Sequence, residues 1–211
     1  IGIAAISMLL MSGDLPLALV GESLFDGIDA FALTAVPLFI LTGDVLVRTG
    51  LSRKFLDVAE ALTQFAKGGF GSATVLVCGM FAAISGSDAA GAAAVGRMTI
   101  DRLVESGYPR PYACALVAAG ACTGILIPPS IAYIIIGLVL GISASTLFLA
   151  ALIPGIAILT SILVTNLVVN RIYGYEGGGN LSAPEYFANL GRALVSGWYA
   201  FIVPGIIFYG I

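Results

Sequence analysis

Apolar stretches separated by short polar ones constrain this chain most. They run over residues 3–10, 31–47, 70–85, 112–126, 131–140, 147–170 and 198–211. A helix needs about 20 mostly apolar residues to cross a bilayer. Only 10 % of the 211 residues are charged and 59 % are hydrophobic, whereas a soluble domain carries about a quarter charged residues. The chain reads as an all-α integral membrane protein with the lipid bilayer as its solvent. The first and last stretches are cut by the chain ends, so it reads as a fragment or one part of a larger protein. A cleaved signal peptide fits the start poorly, because no basic region precedes the apolar one.

All nine basic residues lie at Arg48, Arg53, Lys54, Lys67, Arg97, Arg102, Arg110, Arg171 and Arg192. Residues 12–30 have none and carry Asp14, Glu22, Asp26 and Asp29. By the positive-inside rule this loop faces outward and the basic clusters face the cytoplasm. "LSRKFLDVAEALTQFAKGG" has apolar residues at helical spacing, with Ser52 as a cap and Gly68–Gly69 as a stop. It is an amphipathic helix, lying on the cytoplasmic face or packed flat on neighbouring protein. Cys78, Cys114 and Cys122 sit in apolar stretches as small core residues, with no disulfide framework.

The polar stretch "ISGSDAAGAAAVG" follows residues 70–85, and both flanks are basic: Lys67 before it, and Arg97, Arg102 and Arg110 after it. The chain therefore enters and leaves on one side. As a helix, 70–85 is about 24 Å long, short of the roughly 30 Å of hydrocarbon. A re-entrant helical hairpin fits, with its tip at 85–88. Then comes "YPRPYACALVAAGACTGILIPPSIAYIIIGLVLG", a crossing that Gly124, Pro128 and Pro129 interrupt. Tandem prolines remove two backbone donors and push the residue before them out of helical geometry. Ser130 can cap the second half-helix. Residues 147–170 return, a Gly-rich linker follows, and a short helix starts near 182–184.

The sequence has no histidine, which removes a Ser-His nucleophile and an H-E-x-x-H zinc site. No P-loop is present and the cysteines lack metal-ligand spacing. The chain is not read as an enzyme, nor as a nucleic-acid binder. Two backbone breaks at membrane depth are the informative feature. Discontinuous helices of this kind hold substrates and coupling ions in secondary transporters. Unwound carbonyls can coordinate Na⁺, and half-helix N-termini attract anions. Ser85 and Ser87 add hydroxyl ligands, and Gly86 permits unusual backbone angles. Asp88 has two compatible readings: a ligand for Na⁺ or a coupling proton, and an N-cap or first-turn acid of the returning helix, stabilised by its dipole. Arg97 and Arg102 read as topology anchors.

"VPLFILTGDVLVRTG", "GGFGSATVLVCGMFAAISGS", "ESGYPRPYACALVAAGACTGILIPPSIAYIIIG" and "LFLAALIPG" closely resemble the large membrane subunit of tripartite ATP-independent periplasmic (TRAP) transporters. The likeness runs along nearly the whole chain, as the first half of that subunit. It implies an inverted-repeat, multi-pass protein of the bacterial inner membrane that imports organic anions, often carboxylates, on a Na⁺ gradient by an elevator-type motion. It implies three protein partners: a periplasmic substrate-binding protein, a small membrane subunit, and the second half of the large subunit. It also implies Na⁺ ligands among Ser85, Gly86, Ser87 and Asp88 at the tip, and Gly124, Ile127 and Pro129 through their carbonyls at the break, with Ser130 beside them. One departure stands out: in the family an acid follows the serine by about three positions, and here Gly91 stands there while Asp88 directly follows Ser87. On this reading 1–66 are scaffold-type helices and the amphipathic helix. Residues 67–145 are the transport-type region, with its hairpin at 67–106 and broken helix at 108–141. Residues 146–211 are the return helix, the linker and the next crossing. Alternatives are another Na⁺- or H⁺-coupled organic anion carrier of the same plan, a channel, and a non-transporting membrane scaffold.

Overall fold

The computed structural model describes residues 31–177 and 183–198, with a few positions outside them. The loop at 12–30 expected to face outward and the stretches 3–10 and 198–211 lie outside the described residues, apart from single positions and short runs. The described residues form helices and turns, with no strand among them. The all-α expectation therefore holds.

A 3₁₀ turn, Phe31–Thr34, leads into α1, Ala35–Arg48. Helix α2 spans Leu51–Thr63. It begins earlier than the Ser52 cap and ends before the Gly68–Gly69 stop expected from sequence. Gly50 makes the turn between the two helices in a left-handed conformation, φ +74, so Ser52 is carried into the first turn and buried. Thr63 ends the helix: its hydroxyl lies 2.8 Å from the Ala59 carbonyl oxygen and 2.7 Å from that of Gly69. The amphipathic pattern is real, and its apolar face is covered by protein. Phe55, Val58 and Ala59 are fully buried, and α2 packs between α3 and α8.

Helix α3, Gly69–Ser85, is followed after only Gly86 and Ser87 by α4, Asp88–Glu105. The two pack against each other as a hairpin. Pro109 caps α5, Arg110–Ala121, with Pro111 in its first turn, where a missing N–H costs nothing. A 3₁₀ turn at Cys122–Gly124 and a non-helical run to Ser130 separate α5 from α6, Ile131–Leu140. Helix α7, Ala144–Tyr173, closes the bundle, and α8, Ala183–Gly197, lies on α2.

Helix α3 is the centre of the core. Its Val77, Cys78, Phe81 and Ile84 join Phe55 and Ala59 of α2 and Ala94 and Val95 of α4 in one buried cluster. Close approach of apolar helices depends on small residues where side chains cannot fit. A Cβ at Gly79 would fall 2.8 Å from Leu159 of α7, and one at Gly120 would fall 3.0 Å from Cys78. Cys78 is a core residue as expected, whereas Cys114 and Cys122 are exposed. Helix α7 is the one described helix both long and apolar enough to cross a membrane. At 30 residues it is about 45 Å long. Its outer face is bare and apolar: Leu149, Ile153 and Ile172 are each at least 70 % exposed.

Candidate functional site

The two backbone breaks meet. Gly86 has φ +59, and a Cβ there would fall 2.6 Å from the Pro129 carbonyl oxygen and 3.3 Å from the Ile131 nitrogen. From the other side, a Cβ at Gly124 would fall 2.9 Å from Asp88 Oδ1, 3.1 Å from the Asp88 nitrogen and 3.2 Å from the Ser87 carbonyl carbon. Glycine at both positions lets backbone press on backbone. The local reasons for the breaks are those legible in sequence. Gly86 supplies the left-handed turn at the tip. The Pro128–Pro129 pair, joined by a cis peptide bond, removes donors at the second break.

Ser87 takes the cap position of α4 in extended geometry, and its hydroxyl accepts from the Ala90 N–H at 3.4 Å. Ser85 is buried at the end of α3, with its hydroxyl 3.5 Å from both the nitrogen and the carbonyl oxygen of Ser87. Of the two helix roles expected for Asp88, the N-cap passes to its neighbour Ser87 and the first-turn acid holds. Asp88 is the first residue of α4, an acid beside the positive end of the helix dipole. Ser130 stands at the cap position of α6, yet its side chain makes no capping bond. That corrects the capping role expected for its hydroxyl.

Asp88 Oδ1 and Ser130 Oγ are both buried without a hydrogen-bond partner in the protein, the only such side-chain atoms among the described residues. Buried polar atoms are otherwise paired, because leaving one unpaired costs about 1–3 kcal/mol. Two orphaned oxygens, one on each break, are the chemistry expected of a hard cation that takes oxygen ligands. No cluster of three or more His, Cys, Asp or Glu side chains is present among the described residues.

The sequence-derived set is thus brought together for the most part. Gly86, Ser87 and Asp88 face Gly124, Pro129 and Ser130, with Ser85 just behind. The Ile127 side chain packs with Ala83 and Leu159 in a satellite of the core; the expectation for this residue concerned its carbonyl. Sequence reasoning missed Gly43, where a Cβ would fall 3.3 Å from Ser85 Cβ, bringing α1 to the tip. An isolated glycine inside the helical pattern "LTGDV" was the available signal. Between α1 and α4 lies a cavity of about 370 Å³ lined by Phe39, Gly43, Ser85, Ser87, Ala93 and Arg97, among others. Asp44 at its mouth is paired with Arg48 at 2.7 Å and exposed.

Residues 1–211 match the family described as tripartite ATP-independent periplasmic transporter, DctM component. Among relatives, an isethionate TRAP transporter permease protein DctMQ of Oleidesulfovibrio alaskensis is 33 % identical over 211 residues, all of this chain and 33 % of that protein. A C4-dicarboxylate TRAP transporter large permease protein of Pseudomonas aeruginosa is 34 % identical over 206 residues, covering 98 % of this chain and 48 % of its own length. A sialic acid TRAP transporter large permease protein of Vibrio cholerae is 30 % identical over 206 residues, with the same two coverages of 98 % and 48 %. The chain therefore spans between a third and a half of the relatives it matches. Those relatives are transport proteins, not enzymes.

Proposed function

The chain belongs to the DctM component family of tripartite ATP-independent periplasmic transporters, and from that membership we propose that it is part of the large subunit of a Na⁺-coupled importer of organic anions. The substrates are carboxylates or similar anions handed over by a periplasmic binding protein, and a small membrane subunit braces the assembly in the bacterial inner membrane. The relatives' names support the substrate class, since isethionate, C4-dicarboxylates and sialic acid are all anions. The name DctMQ of one relative fits an association with a second membrane component.

The single observation carrying the coupling claim is the pair of orphaned oxygens, Asp88 Oδ1 and Ser130 Oγ, at facing breaks. In this reading Na⁺ binds there as a transported ion. Asp88 and Ser130 supply side-chain oxygens, Ser85 and Ser87 lie beside them, and the carbonyls of Gly86, Gly124, Ile127 and Pro129 are the backbone candidates. The carboxylate draws the cation. These carbonyls replace part of its water shell without adding net charge, so the site releases the ion again on the far side. Helices α3 and α4 form a re-entrant hairpin, and α5 with α6 form one broken crossing. Residues 67–145 move as a transport unit against a scaffold at 1–66 in an elevator-type motion, and 146–211 link it to the other half.

The test is uptake into proteoliposomes by the full-length transporter with its small subunit and cognate binding protein. The reading predicts accumulation driven by an inward Na⁺ gradient and lost when the binding protein is left out. Uptake unchanged when choline replaces Na⁺ would overturn the coupling claim, and uptake driven by a proton gradient alone would favour a H⁺-coupled carrier of the same plan.

A further inference from the structure

The base of the hairpin is tied as firmly as its tip. Sequence reasoning treated "YGYEGGGNLSAPEYFANLGR" as a polar, Gly-rich linker leading into a short helix. The structure gives one residue of it a specific seat. Glu176 Oε1 accepts the Phe70 N–H at 2.8 Å, and Oε2 accepts the Gly71 N–H at 3.3 Å and the Tyr108 hydroxyl at 3.1 Å. These amides belong to the first turn of α3, where unpaired N–H groups and the helix dipole favour an anion. The carboxylate is thus the cap that α3 lacks in its own local sequence.

Asn170 clamps Glu176 from both sides. Its Nδ2 donates to the Glu176 carbonyl and its Oδ1 accepts the Glu176 N–H, each at 2.8 Å. One helical turn back on α7, Asn166 Nδ2 donates to Ser72 Oγ at 3.2 Å and to the Gly68 carbonyl at 3.4 Å, and its Oδ1 accepts the Tyr112 hydroxyl at 3.3 Å. Both asparagines are at most 1 % exposed, on a mostly apolar helix. A solvated linker needs no such seat. Buried polar residues with their bonding capacity engaged hold a geometry. This node ties the start of α3 to α7, to the α4–α5 connection at Tyr108, and to the chain leading to α8.

Between node and tip, α3 is one uninterrupted helix of 17 residues, about 26 Å long. Its Val75, Val77, Phe81 and Ile84 are fully buried. A packed helix of this kind transmits a displacement at one end to the other, since close-packed interiors are stiff. The far end is Ser85, next to the backbone-on-backbone contacts of Gly86 and Gly124.

We propose that Glu176 is a positioning residue for the cation site: by seating the first turn of α3 it fixes where the hairpin tip meets the second break. The inference rests on the Na⁺ site described above and names a residue far from it that sets its geometry. It separates Glu176 from a merely structural cap. A structural cap would affect stability or maximal rate, while a positioning residue shifts the Na⁺ dependence itself.

The experiment uses the full-length transporter in proteoliposomes with its cognate binding protein, titrated with Na⁺ at saturating substrate and then with substrate at saturating Na⁺. Glu176→Ala is expected to raise the Na⁺ half-saturation about five- to tenfold, within the range of ordinary site-to-site coupling. The substrate KM at saturating Na⁺ stays within about twofold on the same scale. Glu176→Gln keeps the shape and two acceptor lone pairs but not the charge, so it falls between wild type and alanine. If the alanine variant does not fold, Glu176→Gln and Tyr108→Phe carry the test, the latter removing one of the three donors. A Na⁺-dependent wild type with unchanged half-saturation in the folded variants overturns this inference alone, as does a loss of maximal rate without a shift in half-saturation. A wild type with no Na⁺ dependence overturns the cation site and this inference with it.

Discussion

Replacing Gly86 with alanine tests the contact between the two breaks most sharply. Two penalties combine. At φ +59, alanine takes a left-handed conformation that costs about 1–2 kcal/mol. Its Cβ would also lie 2.6 Å from the Pro129 carbonyl oxygen, where ordinary contact begins at 3.4 Å, a shortfall of 0.8 Å. The obstacle is backbone, not the free end of a side chain, so relief requires moving the break itself. Overpacking of this kind costs about 1–3 kcal/mol. The sum, about 2–5 kcal/mol, changes the population of the tip-on-break arrangement by about 30-fold to a few thousandfold. Gly50→Ala is the matched control. Gly50 has φ +74 and no atom within 4 Å of a Cβ, so only the backbone penalty of about 1–2 kcal/mol applies. The assay is thermal unfolding of the purified full-length transporter beside its Na⁺-dependent uptake. Gly86→Ala should lower the melting temperature further than Gly50→Ala and should alone impair Na⁺ dependence. Equal effects of the two variants on both readouts would refute the contact.

Three further outcomes are expected. Ser130→Ala removes a buried hydroxyl that has no protein partner, so stability without Na⁺ should hold or rise. Na⁺-induced stabilisation should fall, and a melting temperature that drops in Na⁺-free buffer would show that the hydroxyl is engaged in the protein. Burial, with Glu176 beside it, pushes the Tyr108 hydroxyl above its usual range. A group with a raised folded-state value contributes fully below the unfolded value near 10 and loses that contribution as pH climbs further. Wild type should therefore lose stability above about pH 10 more steeply than Tyr108→Phe, and parallel alkaline losses would contradict the role given to this hydroxyl. The Arg102–Glu60 pair, 2.7 Å apart, is partly exposed on both sides, so Glu60→Gln should cost less than about 1 kcal/mol, measured as a change in unfolding free energy.

Local chemistry was legible in the sequence, and long-range meeting was not. The positions of both breaks follow from Gly86 and from the Pro128–Pro129 pair, whose effects on φ and on donors act within a residue or two. The covered face of α2 follows from its helical spacing, but its cover could not be read, because lipid and protein are both apolar partners. Ser130 had the residue type and position of a cap, and only the structure shows its hydroxyl unbonded. The packing of the Ile127 side chain with Ala83 and Leu159 was not legible, since a non-helical run aims successive side chains in different directions. The base node was missed although it left a trace. Asn166 and Asn170 lie four residues apart in an apolar helix and so share a face. The partner of Asn170, Glu176, follows a glycine turn at Gly174, φ +65, that no periodicity predicts.

The central claim is that one Na⁺ is shared between the two breaks. A double-mutant cycle on Na⁺-induced thermal stabilisation of the full-length transporter tests it directly, with wild type, Asp88→Asn, Ser130→Ala and the double variant. A ligand that binds the folded state stabilises it by RT ln(1 + L/Kd), with L its free concentration, and residues that share a partner show an interaction energy of about 0.5–3 kcal/mol. The account predicts such a non-additive term in Na⁺ buffer and its disappearance when choline replaces Na⁺. Additive effects in both buffers, or a Na⁺ response untouched by either substitution, would contradict it.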